Sequence, residues 1–562
     1  MQKIKKLADF VLKNGVLAWM AMALVWYLVL STLRQGISCD EGYYLMGYLR
    51  GQNIEGQGTD FHAIVRALCR PFADDDIMVF RYMRLALNLL ALVLFAMTSY
   101  EWLSKKKGLT LSRWLFYPMM ALAGAMSFTF AAPTISYDSI EPILAMFAMS
   151  LLFVMLLSDK VWLRCMMAFG IGFLMWFAVV NYPPAGVCLA ILFAIVYFME
   201  SDAKRWTEML SVLFGVAMAV LVFHVFVHDL RLWFPEIVKI FESTFTETSK
   251  SRHDSGSLVS VMLMTVLKEM MVLVPVVALS ALFFWKVRMS KWLQWGLAIA
   301  LCVFLLLYRK TYELRGTLLL FPVALMLGKV LANSNGKLKE YLLSKDFWIA
   351  FVLVAIPLAG VFGTNQAIMN KAVIFAPFWL TAYFLIASRI EKSQCNAMNL
   401  VLTALLFAGY VYLGNFQRYH YYYTPRSSKY ELVGASRPQN VLVSHYQQQY
   451  FADVCDSLRA GGCKLGDKLM AFGENQISVY FAGGFIDGRL PYHWWQYKVF
   501  EAEAPQAFIL FKSEENDVIG HFSQADWSFP EAYRRMEMRQ MSENMGDELR
   551  TVIYVRKENN EQ

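Results

Sequence analysis

Long apolar stretches alternate with short polar segments along the first three quarters of the chain. Apolar runs of roughly 16–25 residues recur there, which is the length that an α-helix needs to cross a bilayer. The pattern predicts thirteen spans, at 14–33, 82–103, 113–132, 139–157, 165–181, 185–199, 208–228, 258–284, 292–307, 317–333, 347–363, 372–388 and 398–414. The fold class that follows is an α-helical polytopic membrane protein.

The pattern changes at about residue 420, where the long apolar runs stop. This change divides the chain into a transmembrane domain, 1–420, and a small α/β domain, 421–562. Short apolar runs bounded by polar residues predict strands in the second domain, and longer amphipathic segments predict helices. The predicted strands are 468–472, 507–511 and 551–555, and the predicted helices are 446–459 and 531–543.

Composition and charge agree with a membrane protein. The 562 residues are 57% hydrophobic, and their mean hydropathy of +0.41 excludes an ordinary soluble domain. Lys and Arg accumulate in alternate short loops, including 104–107 and 286–291, and in the first residues of the chain. By the positive-inside rule the N-terminus is cytoplasmic, and thirteen spans then put the C-terminal domain outside. The net charge of +8 follows from this bias and does not indicate nucleic-acid binding.

The outer loops of this topology hold the polar side chains that suggest chemistry. Asp40 and Glu41 follow the first span directly, and Asp138 precedes the fourth. Carboxylates at the bilayer edge together with several cations suit a phosphate-bearing substrate, because the cations hold the phosphate while a carboxylate acts as base. The candidate phosphate-binding cations are Arg66, Arg70, Arg81, Arg309, Lys310 and Arg315, and further candidates are Asp60, His62, Tyr137 and Tyr182.

Structural interpretations of the same residues remain open. Asp40 is a suitable N-cap for a helix over 41–49, and Asp138 with Glu141 has the spacing of a capping box. The cations of 308–316 could extend to lipid headgroups, and His62 could be an ordinary interfacial histidine. These interpretations do not predict acidic residues at the outer ends of both the first and the fourth span.

Asp40-Glu-Gly-Tyr-Tyr44, followed by the long outer loop 34–81, resembles the first-loop acidic motif of the GT-C membrane glycosyltransferases. That group includes protein O-mannosyltransferases, bacterial family-39-like transferases and the aminoarabinose transferase of lipid A. Thr134-Ile-Ser-Tyr-Asp138 resembles their second acidic position, and Asn181-Tyr-Pro-Pro-Ala-Gly186 is similar to a Pro turn of the bacterial members. The first loop lacks the Pro-rich stretch of many bacterial relatives, so roles for Asp60 and His62 stay open.

The resemblance implies a GT-C-like fold and transfer of a sugar from a polyprenyl-phosphate donor to a glycan, lipid or protein on the outer face. It implies that Asp40 is the catalytic base, with Glu41 beside it and Asp138 as a helper. It also implies a bacterial inner membrane, with membrane lipids around the spans and a periplasmic C-terminal domain. The sequence compels no cofactor, and a divalent metal ion at the carboxylates is an open alternative.

Two other classes of function compete with this one. A transporter or flippase for a lipid-linked or anionic substrate would carry charges inside its spans, where the chain has few besides His224 and Lys268–Glu269. A non-catalytic scaffold would present the C-terminal domain without needing Asp40. Disulfides persist outside the cell, which makes Cys455–Cys463 and Cys39–Cys69 candidate bridges.

Overall fold

A computed structural model describes the greater part of the chain. The predicted span at 292–307 lies outside the described residues, as does most of the loop 229–257. The residues described are 15–37, 40–49, 52, 61–69, 76–130, 132–201, 206–231, 233–235, 238, 255–286, 314–333, 338–363, 368–389, 398–399, 402–411, 429–432, 435, 439–486, 490, 503–525, 527–541 and 546–557.

Helices form where the described part of the first three quarters of the chain carries a long apolar run. Some begin at a polar cap, as where Asp76 accepts a hydrogen bond from the Met78 amide at 2.9 Å. The helices are α1 Val16–Thr32, α2 Glu41–Tyr48, α3 Phe61–Cys69, α4 Ile77–Lys106, α5 Arg113–Ala125, α6 Ser127–Phe130, α7 Tyr137–Leu157, α8 Val161–Asn181, α9 Pro183–Glu200, α10 Trp206–Phe226, α11 Ser255–Lys286, α12 Leu314–Ala332, α13 Leu338–Leu342, α14 Lys345–Ala359, α15 Ile368–Ala372, α16 Ala376–Ala387 and α17 Leu402–Val411.

Seven helical segments in the described residues are long and apolar enough to cross a membrane: α4, α7, α8, α9, α10, most of α11, and the stretch from α15 to α16. Helices α1, α12 and α17 are apolar but shorter. The chain is therefore a helical membrane protein, but the predicted count of thirteen spans is not supported. Several apolar runs form short or broken helices, as at 113–132, which is divided between α5 and α6.

The charged groups at one end of the helical bundle pair with each other. Lys107, just after α4, forms ion pairs with Glu200 at the end of α9 and with Asp346 at the start of α14. Arg389, just after α16, pairs with the same Asp346. This end carries the basic loops that predict a cytoplasmic face, and the candidate catalytic residues lie at the opposite end.

The C-terminal domain contains a five-stranded mixed sheet in the order β4–β3–β5–β7–β6. Strand β3 runs parallel to β4 and β5, while β7 runs antiparallel to β5 and β6. The predicted strands at 468–472, 507–511 and 551–555 and the helix at 446–459 are confirmed. The elements are β1 Tyr430–Glu431, β2 Leu442–Val443, α18 His445–Ala460, β3 Lys468–Ala471, α19 Gln476–Ala482, β4 Phe485–Ile486, β5 Ala507–Phe511, α20 Glu515–Phe522, β6 Tyr533–Gln540 and β7 Arg550–Arg556.

The helix predicted at 531–543 is wrong, because Tyr533–Gln540 forms the strand β6. Its Glu, Met, Arg and Gln residues favour helices in isolation. The strand lies at the edge of the sheet, where it pairs with β7, and its methionines are partly buried while its charged side chains are exposed. Tertiary pairing therefore overrides the local helix propensity.

The predicted bridge between Cys455 and Cys463 is also wrong, because both are free thiols. Cys455 is buried in the domain core, and Cys463 follows the turn after α18. Cys69 is likewise free, and Cys39 lies outside the described residues.

The C-terminal domain packs against the first outer loop, and one hydrophobic core includes residues of both. The Gln52 side chain makes two hydrogen bonds with the backbone of Ile486, at 2.9 and 3.0 Å. At Gly42 in α2, an added Cβ would lie 2.2 Å from the Ile477 amide nitrogen of α19. The domain therefore lies at the end of the bundle that bears the first loop.

Candidate functional site

The candidate site lies where four elements meet at the first-loop end of the bundle. Helix α2 begins just after Asp40, and α7 begins at Tyr137. The α8–α9 junction contributes Tyr182, and the short helix α15 contributes Lys371. Pro183 fits the first position of α9, where the amide that proline lacks would have no helical partner, so the turn at Tyr182 is fixed by sequence.

Asp138 and Lys371 form an ion pair that is largely shielded from solvent. The distance from Lys371 Nζ to Asp138 Oδ1 is 2.6 Å, and the side chains are 7% and 13% exposed for Lys371 and Asp138. The ammonium also donates to the Tyr137 hydroxyl at 3.4 Å and lies 4.9 Å from the centre of that ring. A lysine has three N–H donors, so the same group can contact a phosphate as well as Asp138.

Aromatic side chains surround this ion pair. The Tyr137 ring lies 5.5 Å from Tyr182, 5.6 Å from Phe61 and 6.2 Å from Tyr44, measured between ring centres. Burial raises the pKa of Tyr182, and the Lys371 ammonium partly offsets this rise. The tyrosines therefore remain neutral and provide an apolar wall with hydroxyl groups, which suits a ligand that is partly hydrophobic and partly polar.

The carboxylates of Asp40 and Asp138 both influence the pKa of the Tyr44 phenol, although the two residues are 98 positions apart in sequence. Burial raises the pKa of Tyr44, and the charges of both carboxylates raise it further. Asp40 also raises the pKa of Tyr43, after the larger effect of burial. The side chain of Asp40 occupies the cap position of α2 but makes no capping hydrogen bond. The capping interpretation of Asp40 therefore has no support in its contacts.

The side chain of Glu41, the residue after Asp40, is fully buried inside the protein. It forms a two-pronged ion pair with Arg81, with Nε–Oε1 at 3.0 Å and Nη2–Oε2 at 2.7 Å. The amide and hydroxyl of Thr134 also donate to Glu41. Arg81 further donates to the carbonyls of Leu33 and Gly36. These bonds join α2 to α4 and to the segment before α7. The side chains of Glu41 and Arg81 therefore have a structural role.

Arg66 and His62 also have structural surroundings on α3. The Arg66 guanidinium donates to the carbonyls of Gly47 and Gln52, at 2.7 and 2.9 Å. His62 is 1% exposed, and neither ring nitrogen has a hydrogen-bond partner in the described part of the chain. Burial lowers the pKa of His62 well below 6.5, and the positive charge of Arg66 lowers it further.

The capping box predicted at Asp138 and Glu141 is wrong. Helix α7 begins two residues earlier than that prediction requires, with Ser136 as its cap, and the Ser136 amide donates to Ser139 Oγ at 2.8 Å. Asp138 instead forms the ion pair with Lys371. Glu141 is buried, where it accepts a hydrogen bond from Asn181 at 2.8 Å.

Four predicted residues lie outside the described residues: Asp60, Arg70, Arg309 and Lys310. Arg315 is in the first turn of α12, and its side chain is not described. The structure therefore brings together Asp40, Asp138, Tyr137 and Tyr182, and it directs Glu41, Arg81 and Arg66 to other partners.

Lys371 is the site residue that sequence reasoning missed. The sequence did contain a signal. Lys371 lies between the predicted spans 347–363 and 372–388, in a loop that the predicted topology places outside, where the positive-inside rule disfavours lysine. The same argument singles out 308–316, where three cations cluster, but a single lysine gives a weak pattern. Only the fold shows that Lys371 faces Asp138, 233 residues away in sequence.

A divalent metal does not fit the described carboxylates. No group of three His, Cys, Asp or Glu side chains converges among the described residues. Asp138 already has the Lys371 ammonium as a partner, and the Glu41 carboxylate is occupied by Arg81.

Comparison with known proteins yields one likeness of structure. No family model matches the chain, and no curated protein matches it. A crystal structure of the Archaeoglobus fulgidus oligosaccharyltransferase, tethered to an acceptor peptide, is similar over 97% of this chain and 74% of that one. The identity is 11% and the TM-score is 0.45. A likeness at this level defines no family, and the function proposed below rests on the site itself.

Proposed function

We propose that this protein is an integral-membrane glycosyltransferase that uses a polyprenyl-phosphate-linked sugar. The observation that carries the proposal is the largely buried Asp138–Lys371 pair, which lies at the bundle end within a set of tyrosines, with Asp40 near the same Tyr44 phenol as Asp138. A carboxylate serves as base, an ammonium serves as phosphate ligand, and an aromatic wall accommodates a sugar or an isoprenoid.

The donor binds with its lipid tail against the apolar spans and its phosphate at Lys371. The ammonium neutralises charge that grows on the phosphate as it leaves. Asp138 holds Lys371 in place at 2.6 Å and keeps the local charge balanced before the donor arrives. The tyrosines around Lys371 exclude water, which strengthens the attraction between the ammonium and the phosphate.

Asp40 accepts the proton of the acceptor nucleophile. A new bond forms between that nucleophile and the anomeric carbon, while the bond from the anomeric carbon to the phosphate oxygen breaks. The electron pair leaves with the polyprenyl phosphate, and the sugar configuration inverts. Glu41 and Arg81 fix the first turn of α2, so that Asp40 is presented on a rigid backbone.

The placement that we propose is the outer face of the membrane, with the C-terminal domain above the site. The basic loops at the opposite end support this orientation by the positive-inside rule. The donor that we propose on that face is a lipid-linked sugar, because the apolar membrane-spanning helices can hold its lipid tail. The acceptor is a glycan, a lipid or a protein.

The test is release of polyprenyl phosphate by purified protein in lipid nanodiscs. A panel of polyprenyl-phosphate sugars is supplied with membrane lipids, envelope glycans and peptides as acceptors. The proposal predicts that at least one donor is consumed and that its sugar appears on an acceptor. If every donor is returned intact while one of them crosses a sealed vesicle membrane, the protein is a flippase instead.

A further inference from the structure

Glu141 is a buried acid that the proposed reaction does not use. It lies one turn beyond Asp138 in α7 and is 1% exposed. Its partner Asn181, the last residue of α8, is 0% exposed. An ionisable residue in a membrane-spanning helix is costly and marks a functional position more often than a packing one.

The contacts of Asn181 fix the orientation of its carboxamide. Its Nδ2 donates to Glu141 Oε2 at 2.8 Å and to the Tyr137 carbonyl at 3.1 Å. A backbone carbonyl only accepts, so the group facing it must be the NH2 and not the oxygen. The assignment of nitrogen and oxygen is therefore determined by the hydrogen bonds.

Within the described part of the chain, two buried oxygens of this pair have no hydrogen-bond partner: Glu141 Oε1 and Asn181 Oδ1. Among the described residues, no lysine or arginine forms an ion pair with Glu141. A buried carboxylate without a cation and a buried carbonyl without a donor are both expensive. Contrast Glu208, a buried acid of α10 that is ion-paired with Arg164 at 2.6 Å.

We propose that Glu141 carries a proton and donates it in a hydrogen bond from Oε1 to Asn181 Oδ1. One proton then satisfies both orphaned oxygens and removes the buried charge. The acid and the carboxamide pair through two hydrogen bonds, each group donating once and accepting once. Asn181 Nδ2 keeps its second bond, to the Tyr137 carbonyl, and Asn181 is fully satisfied.

The pair acts as a positioning device for the site. Asn181 holds both the backbone of Tyr137 and the side chain of Glu141, so it fastens the first turn of α7, with Asp138 between them. It precedes Tyr182, whose ring packs on Tyr137. The charged and titratable groups nearby are Asp138, its partner Lys371, and these two tyrosines. A neutral Glu141 adds no second negative charge near Asp138. The Lys371 ammonium is therefore left to interact with Asp138 and with the donor phosphate.

The first test is infrared spectroscopy of the reconstituted protein and needs no turnover. The wild type should show the carbonyl band of a protonated carboxylic acid that disappears in Glu141→Gln. The control Glu101→Gln removes an acid that is ion-paired with Arg113 and Lys105, and it should leave that band unchanged. If Glu141→Gln removes only carboxylate bands at neutral pH, Glu141 is ionised and the proposal is overturned.

The second test rests on the proposed transferase activity. Glutamine reproduces the protonated form, because its NH2 donates to Asn181 Oδ1 and its oxygen accepts from Nδ2. Glu141→Gln should retain turnover to within about twofold, whereas Glu141→Ala, with one orphaned amide, should lose about tenfold or more. Equal losses in both folded variants would overturn the positioning role. Absence of turnover in the wild type would instead count against the transferase, and the infrared result would stand alone.

Discussion

Lys371 is the residue on which donor binding depends most directly in this account. Replacing it by methionine removes the ammonium but keeps a side chain of similar length. We expect Lys371→Met to raise the Kd for the donor by roughly 10–100-fold, because a charge-assisted hydrogen bond to phosphate contributes about 1.5–3 kcal/mol. Binding of a radiolabelled polyprenyl-phosphate sugar to detergent-solubilised protein measures this directly.

Lys329→Met is the matched control for this change. Lys329 is also buried, but it lies near the end of α12 that is remote from the site and faces the Phe284 ring. Its replacement should leave the Kd for the donor unaltered. If the two variants bind the donor as tightly as the wild type does, Lys371 serves only to neutralise Asp138.

His62 gives a prediction for the pH dependence of stability. Its pKa in the folded protein lies well below 6.5, so the unfolded chain takes up a proton below pH 6.5 while the folded protein does not. The free energy of unfolding should therefore fall as the pH falls, by about 1.4 kcal/mol per pH unit from this residue. His62→Phe keeps an aromatic ring among its aromatic neighbours and should remove this contribution.

Melting temperatures in detergent at pH 7.5 and 5.5 measure the effect. The exposed His445 is the control, and His445→Gln should keep the pH slope of the wild type. An identical slope in the wild type and in His62→Phe would show that His62 is protonated in the folded protein.

At the scale of residues, the sequence predicts candidates better than it predicts partners. It identifies Asp40 and Asp138 because acidic side chains at the bilayer edge are costly without a role. It also predicts Arg81 as a phosphate ligand, although Arg81 forms an ion pair with Glu41, which lies 40 residues earlier. Neither that pairing nor the meeting of Lys371 with Asp138 leaves a local pattern, because both depend on how helices pack.

At the scale of elements, α2 is held between the membrane helices and the C-terminal domain. A methyl group at Gly42 would meet the backbone of Ile477, whose amide nitrogen would lie 2.2 Å away. Backbone atoms of α19 cannot swing aside as a flexible side chain can. We expect Gly42→Ala to cost roughly 1–3 kcal/mol of stability and to reduce turnover, because α2 carries Asp40 into the site.

Gly520→Ala is the control, since an added methyl group there meets nothing within 4 Å. In the short helix α20 it should leave activity unchanged and add about 0.5–1 kcal/mol of stability. Thermal melting and donor turnover of both variants test the idea. Wild-type turnover in a correctly folded Gly42→Ala protein would separate the α2–α19 contact from catalysis.

Local sequence patterns predict most of the membrane helices but not every strand. Apolar length identifies most of the membrane helices, and Pro183-Pro184 divides α8 from α9 because proline suits the first turn of a helix. Strand β6 is misread because its residues favour a helix locally, and its strand form depends on the neighbouring β7. Short strands whose pairing is decided across the chain are not fixed by local composition.

At the scale of the whole molecule, the charge distribution leads to a topology that can be tested. The segment 104–112 contains the end of α4 and the loop after it, at the end bearing the Lys107 ion pairs, and the C-terminal domain packs on the first loop at the other end. A reporter in 104–112 should therefore be cytoplasmic, and one after Gln562 should be extracytoplasmic. The reverse result would put Asp40 inside the cell and rule out an outward-facing donor.

The arrangement of the two domains is the part of the fold that the sequence did not reveal. The change of composition near residue 420 predicts a separate α/β domain. It does not predict that Gln52 bonds to Ile486, 434 residues away, or that the two regions share a core. The contact surface on the first loop consists of ordinary apolar and small residues, which have no signature outside the folded chain.

The central claim, that Asp40 is the base of a glycosyl transfer, is tested most directly by Asp40→Asn. Its side chain makes no capping bond in α2, and asparagine keeps its size and polarity, so the melting temperature should change little, with a stability effect within about 1 kcal/mol. Asparagine cannot accept the proton, so release of polyprenyl phosphate should fall by about 10²–10⁴-fold. A folded Asp40→Asn protein that releases polyprenyl phosphate at the wild-type rate would contradict the account.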